Sequence, residues 1–243
     1  MNKIKIALST ILLASGTAQA SSFVSFVSHQ NGSFIPEKVE CSNPITREEL
    51  VLMIENNEDY SLSCTREIEN FSSLFRYKSV NYSIKNWDVS NGTDFSDMFF
   101  RSPNFNQDIS NWDVSKSTTF AHMFERTQFN QDISNWDVSN SRFFNNMFGE
   151  ARFFNQDISD WDVSNGIDFG FMFADADMFN SDIGDWDVST GRNFAYMFQD
   201  TLVFNHDISD WDVSRARGSM GFYNGSVLSE SNVPERFRPL RFR

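Results

Sequence analysis

The chain has 243 residues, with 33 Asp and Glu against 20 Lys and Arg and a formal net charge of -13. That balance argues against nucleic acid, whose phosphates demand clusters of Lys and Arg, and against an anionic membrane surface as a partner. No segment approaches the roughly 20 consecutive apolar residues of a membrane-spanning helix.

The chain opens with Lys3 and Lys5, an apolar stretch over 6–14 and the small-residue exit Ala18-Gln19-Ala20. These are the parts of a secretory signal peptide over residues 1–20, with cleavage before Ser21. Loss of Lys3 and Lys5 takes the charge from -13 to -15. The mature protein is therefore expected to be secreted, periplasmic or on the surface of a bacterial cell, with no transmembrane segment. No cysteine stands directly after the cleavage site, so lipid attachment is not expected.

Residues 21–70 read as an N-terminal cap. Cys41 and Cys64, 23 residues apart, are read as one disulfide, the usual state of paired cysteines in an exported chain. Free thiols and a redox pair are the alternatives, although the spacing gives neither a C-x-x-C motif nor a metal-ligand pattern. Thr46-x-x-Glu49 is a capping box for a helix over 46–58.

A repeat array is expected over 71–223. Trp87, Trp112, Trp136, Trp161, Trp186 and Trp211 recur at intervals of 25, 24, 25, 25 and 25 residues, the signature of stacked units. Ile109 and Val114 flank Trp112 at -3 and +2, and every other tryptophan has the same neighbours. Trp and Val alternate with polar residues, which predicts a short half-buried strand. Phe95-x-x-Met98-Phe99 and its copies place apolar residues at i, i+3 and i+4, which predicts one helical turn. The expected fold is an α/β repeat solenoid with short parallel strands and one helical turn per 24–25-residue repeat. The phenylalanines, 27 in all, are read as core filling.

Two polar columns follow from the repeat. Asp88, Asp113, Asp137, Asp162, Asp187 and Asp212 lie between Trp and Val and point outward. At the strand spacing of about 4.8 Å, neighbouring carboxylates would repel by about 0.9 kcal/mol in water and about 3.5 kcal/mol at an effective dielectric of 20. Hydrogen bonds from turn amides, there and at Asp108, Asp132, Asp157, Asp182 and Asp207, are one way to offset this. A cation, either calcium or the basic side chains of a partner, is the other. Asn106, Asn130, Asn155, Asn180 and Asn205 are read as a structural ladder joining successive turns.

The phrase F-N-Q-D-I-S-N-W-D-V-S over 105–115 and 129–139 closely resembles the repeat of BspA-like bacterial surface proteins, first noticed in mycoplasma lipoproteins. The I-x-x-W-x-V spacing is similar to the strand segment of leucine-rich repeats. The resemblance implies a leucine-rich-repeat-like curved solenoid, exposed outside the cytoplasm and associated with adhesion or host contact. Two departures from that pattern stand out: the position after V-S-N, usually apolar, is Gly92, Ser117, Ser141, Gly166, Gly191 or Arg217, and a Phe replaces the usual Met or Leu of the helical position.

The functional expectation is an exported binding module. Its concave strand face, lined by Asn111, Asp113, Ser115 and their equivalents, engages a protein or glycan partner. The alternative is a structural spacer or assembly protein whose termini make the contacts, and loss of assembly on removing residues 224–243 would favour it. Residues 224–243, with Arg236, Arg238, Arg241 and Arg243 among Phe237 and Phe242, read as a frayed tail. No cofactor and no catalysis are expected: His29, His122 and His206 occupy unrelated positions, and no nucleophile elbow, P-loop or H-E-x-x-H motif occurs.

Overall fold

A computed structural model describes residues 41–239. Residues 1–20, expected to be a signal peptide, residues 21–40 of the expected cap and residues 240–243 lie outside the described residues. The cap contains the one α-helix among them, α1 (Arg47–Glu55), which starts where the capping box places it. The Glu49 amide donates to Thr46 Oγ1 at 3.1 Å and the Thr46 amide to Glu49 Oε2 at 2.8 Å. Cys41 and Cys64 form a disulfide with Cα atoms 5.2 Å apart. Closing a loop of this length stabilises by about 3 kcal/mol.

The repeat region is a compact, repetitive stack with a tryptophan and phenylalanine ladder at the sequence interval, but the expected strands and helical turns are absent from it. Each coil is instead a succession of β-turns. In one unit the amides of Trp136, Ser141, Met147, Ala151 and Phe154 donate to the carbonyls of Ile133, Val138, Phe144, Phe148 and Ala151, at 2.8–3.1 Å. The first and last residue of every one of these turns is buried. A β-turn brings its ends within about 7 Å of each other on one side of the chain. The i, i+3 spacing that reads as a helix face is therefore produced equally well by consecutive turns.

Backbone torsions exclude the helix outright. Asn146 and Glu150, third residues of their turns, both have φ of 55°, whereas an α-helix needs about -63°. The same two positions are left-handed in each preceding and following coil, from Ser73 and Tyr77 to Gly221 and Gly225. The Trp-Asp-Val-Ser segment fails as a strand for a related reason. The amides of Trp136 and Ser139 are bonded inside their own coil, to Ile133 O and Asp137 Oδ1, and cannot extend a ladder.

Adjacent coils meet in parallel through single bridges, at Asn70, Asp94, Thr119, Phe143, Asp168, Asn193 and Gly218. Beyond each bridge, alternate amides donate forward to the next coil: Phe120, His122, Phe124 and Arg126 to the carbonyls of Phe143, Asn145, Met147 and Gly149, each at 2.9 Å. All four N–H groups point the same way along the stack. At the first coil, α1 supplies what a preceding coil would. Arg47 donates from Nε to Asn70 O at 3.0 Å and from Nη2 to Ser72 O at 2.7 Å.

The core runs unbroken through the stack. Phe75, Phe99, Phe124, Phe148, Phe173 and Phe198 form a column with ring centroids 5.7–5.8 Å apart. A second ring from the same coil lies against each of the last five, as Phe105 does on Phe99 at 3.6 Å. Tryptophan joins coil to coil: the buried indole N–H of Trp161 donates to Ile133 O of the preceding coil at 3.1 Å, and Trp136 to Ile109 O at 3.2 Å. Trp87 uses Tyr60 O of the cap.

The two departures from the expected repeat are one exchange. A Cβ added at Gly166 would lie 2.3 Å from the Phe169 ring, and one at Gly92 2.4 Å from the Phe95 ring. The phenylalanine fills the space that a larger residue would take.

Residues 224–239 are folded, which corrects the expectation of a frayed tail over that part. Leu228, Val233 and Phe237 are buried, and Phe237 packs 5.5 Å from Phe194 and 4.9 Å from Phe222. Two 3-10 turns, Glu230–Asn232 and Glu235–Phe237, carry these residues over the last coil. Arg236 closes it, donating to Ser214 O at 2.8 Å and Ala216 O at 3.0 Å. In earlier coils the next copy does this, as when Asn165 Nδ2 reaches Ser139 O.

Candidate binding faces

Every coil contains an Asp that starts the segment around Val, and its carboxylate is held by the turn it starts. Asp113 Oδ1 accepts the Ser115 amide at 3.1 Å and hydroxyl at 2.6 Å; Asp137 Oδ1 accepts from Ser139 at 3.0 and 2.6 Å. Asp88, Asp162, Asp187 and Asp212 accept the amides of Ser90, Ser164, Ser189 and Ser214 in the same way. These are Asx-turns. The bonds fall on Oδ1, and Asp113, Asp137, Asp162, Asp187 and Asp212 are exposed. The serine hydroxyl, then its amide, holds the carboxyls of Asp113 and Asp162 below the usual range; at Asp212 the Ser214 amide is the first cause. These groups are therefore charged in any neutral medium. Asn111 is exposed beside the column and Ser115 is half-buried.

The companion column repeats the device. Asp108, Asp132, Asp157, Asp182 and Asp207 accept the amide two residues on. Lys85 lies 2.6 Å from Asp108 and, with Ser110, lowers its pKa to about 2. The asparagines join coil to coil: the amides of Asn130, Asn155 and Asn180 donate to Oδ1 of Asn106, Asn130 and Asn155 at 2.9 Å, and Ser229 closes the column on Asn205. Among the described residues no three His, Cys, Asp or Glu side chains gather as a metal ligand set.

A second face escaped the reading of the sequence. The left-handed positions carry residues that change from coil to coil: Asp97, His122, Asn146, Phe171 and Tyr196 in one column, Arg101, Arg126, Glu150, Asp175 and Asp200 in the next. Phe171 and Tyr196 stack at 4.7 Å. The signal available was variation itself, inside a phrase whose apolar positions hardly change.

His122 gives this face a pH dependence. Its Nδ1 lies 2.5 Å from Glu125 Oε2, and that bond raises the imidazole pKa above 6.5, outweighing the opposing effect of burial. The contribution of the pair is complete below about pH 6.5 and is lost as pH rises through the folded-state value. A urea midpoint that falls between about pH 6 and about pH 9, and less so in His122→Gln, is expected. Equal slopes in both proteins would remove the pair as its source.

A family described as "Mycoplasma protein of unknown function, DUF285" matches residues 49–153 and 127–234. No curated protein matches the chain. No solved structure matches it either.

Proposed function

The chain belongs to the DUF285 family, and from that premise we propose that it is an exported or surface-exposed repeat protein that binds a protein or glycan partner, in adhesion or host contact. The BspA-like kinship and the curved, leucine-rich-repeat-like solenoid belong to the same reading, with the acidic face on the concave side. The carrying observation is the row of exposed carboxylates, each fixed by its own turn at one oxygen. Such a row is pre-organised for a basic or hydroxyl-rich surface, because the ordering cost is met on folding rather than on binding. No chemistry is proposed, and no cofactor.

Asparagine can start an Asx-turn as aspartate does, which allows a test that spares the fold. The triple variant Asp113→Asn, Asp137→Asn, Asp162→Asn removes three charges and keeps an acceptor at each turn. Binding of the mature protein to cell surfaces and to a glycan array is expected to fall at least about tenfold, or 1.4 kcal/mol, with the thermal midpoint nearly unchanged. Undiminished binding would leave the carboxylates as turn formers alone. It would favour the second reading, a spacer, which the use of every Asp in the column by its own turn also supports.

A further inference from the structure

The second left-handed column reverses its charge along the stack. It reads Tyr77, Arg101, Arg126, Glu150, Asp175 and Asp200, at φ of 52–59°. The amides of Tyr77, Arg101, Arg126, Glu150 and Asp175 donate to the next coil at 2.7–2.9 Å, so the six residues lie in register. Arg126 and Glu150 meet in the middle, with Nε 2.7 Å from Oε1. On one side Arg101 stands over the rings of Tyr77 and Phe100, at 5.7 and 5.3 Å, with no carboxylate at ion-pair distance among the described residues. Arg76 stands over the same Phe100 ring at 4.8 Å and pairs with Asp97 at 3.5 Å. On the other side Asp175 and Asp200 have no cation at ion-pair distance among the described residues; the nearby Arg152 is paired with Asp177. Partial burial, then the charges of Asp200 and Glu150, pushes the Asp175 carboxyl up. Exposed Leu202 and Val203 border the acidic half, and exposed Tyr77 the basic half.

A two-fold axis through the Arg126–Glu150 junction would place the basic half of one copy on the acidic half of another. Only an antiparallel copy presents minus wherever this column presents plus, and two-fold interfaces are self-complementary in this sense. We propose that this column is an interface at which two copies of the chain associate antiparallel, each setting its Arg101 against the Asp175 and Asp200 of the other. The opposed charges orient the pair, while Tyr77 of each copy lies toward Leu202 and Val203 of the other. In a protein of net charge -13, this local complementarity must overcome general repulsion. Association is therefore strongest where the two are balanced by moderate screening, and the column's own attraction is lost at high salt.

The test is sedimentation velocity on the mature, oxidised protein. The parent is expected to form a dimer at about 0.1 M salt that dissociates toward about 1 M; a parent that stays monomeric throughout overturns the proposal. Two variants isolate the column: Arg101→Asp with Arg126→Asp makes it wholly acidic, and Asp175→Arg with Asp200→Arg makes its acidic half basic. Arginine already occupies the same left-handed position at Arg101 and Arg126, so the exchange is compatible with the backbone, and unchanged thermal midpoints verify folding. Each variant alone is expected to dimerise at least about tenfold more weakly than the parent, and their equimolar mixture to recover dimers. Variants that dimerise as the parent does, or a mixture no better than either alone, would place any dimer elsewhere.

Discussion

Trp161→Ala is expected to cost about 3–5 kcal/mol, the range for removing a buried aromatic side chain, out of the roughly 5–15 kcal/mol that holds a typical domain folded. The indole is 3% exposed and does two jobs. It packs 6.3 Å from Phe148 of the coil before, and its N–H reaches back to Ile133 O of that same coil. That carbonyl also accepts the Trp136 amide at 3.1 Å, so the substitution removes one of two bonds and leaves no orphaned acceptor. Trp161→Phe, which keeps a ring and loses the donor, is expected to cost about 2 kcal/mol, from one hydrogen bond and a smaller void. In a stack, each coil is held mainly by its neighbours. Hydrogen exchange should therefore quicken in the coils of both Trp136 and Trp161 in the alanine variant. Denaturant midpoints that placed Trp161→Ala within about 1 kcal/mol of the parent would show that the indole is not a link between coils.

The second large effect is expected at the C-terminal end. Phe237→Ala should cost about 3 kcal/mol or more, and a chain ending at Ser229 about 5 kcal/mol or more, because Val233 and Phe237 leave the core together. The truncation also removes the two hydrogen bonds of Arg236 to Ser214 and Ala216. Chemical denaturation of the two proteins is the measurement; parent-like midpoints would make the segment an appendage. Removing residues 224–243 therefore cannot distinguish a spacer from a binding module, since loss of assembly would follow from loss of the end coil.

The interior was legible residue by residue. Trp, Ile, Val, Met and the recurring Phe positions of each repeat are all buried, because burial of large apolar side chains dominates whatever backbone carries them. The start of α1 was legible for a local reason, as both halves of its capping box lie within four residues. Backbone type was not. A period of three and four cannot separate a helix face from turns laid end to end, and no propensity points to a left-handed Phe171 or Tyr196. The clue lay in a different triplet. Asp108-Ile-Ser, Asp113-Val-Ser and Asp94-Phe-Ser each set a carboxylate two residues before a small residue, and each is an Asx-turn. The closing segment was missed because Leu228, Val233 and Phe237 follow no period, and alternation of Arg with Phe resembles a disordered end.

Peptide groups are dipoles of about 3.5 D, and in this stack they are not randomly oriented. Four per coil point N–H forward, while fewer, as in Arg142 to Thr118, point N–H back. The surplus adds along the stack, as it does along a helix, and gives the two ends opposite polarity. The carbonyl end is negative, and the guanidinium of Arg47 rests on it. The opposite end, around Ser219 and Gly221, is positive. Because aligned dipoles cancel everywhere except at their ends, adding or deleting a whole coil would lengthen this field without strengthening it. An anionic group should thus favour the last coil of a short array as much as that of a long one.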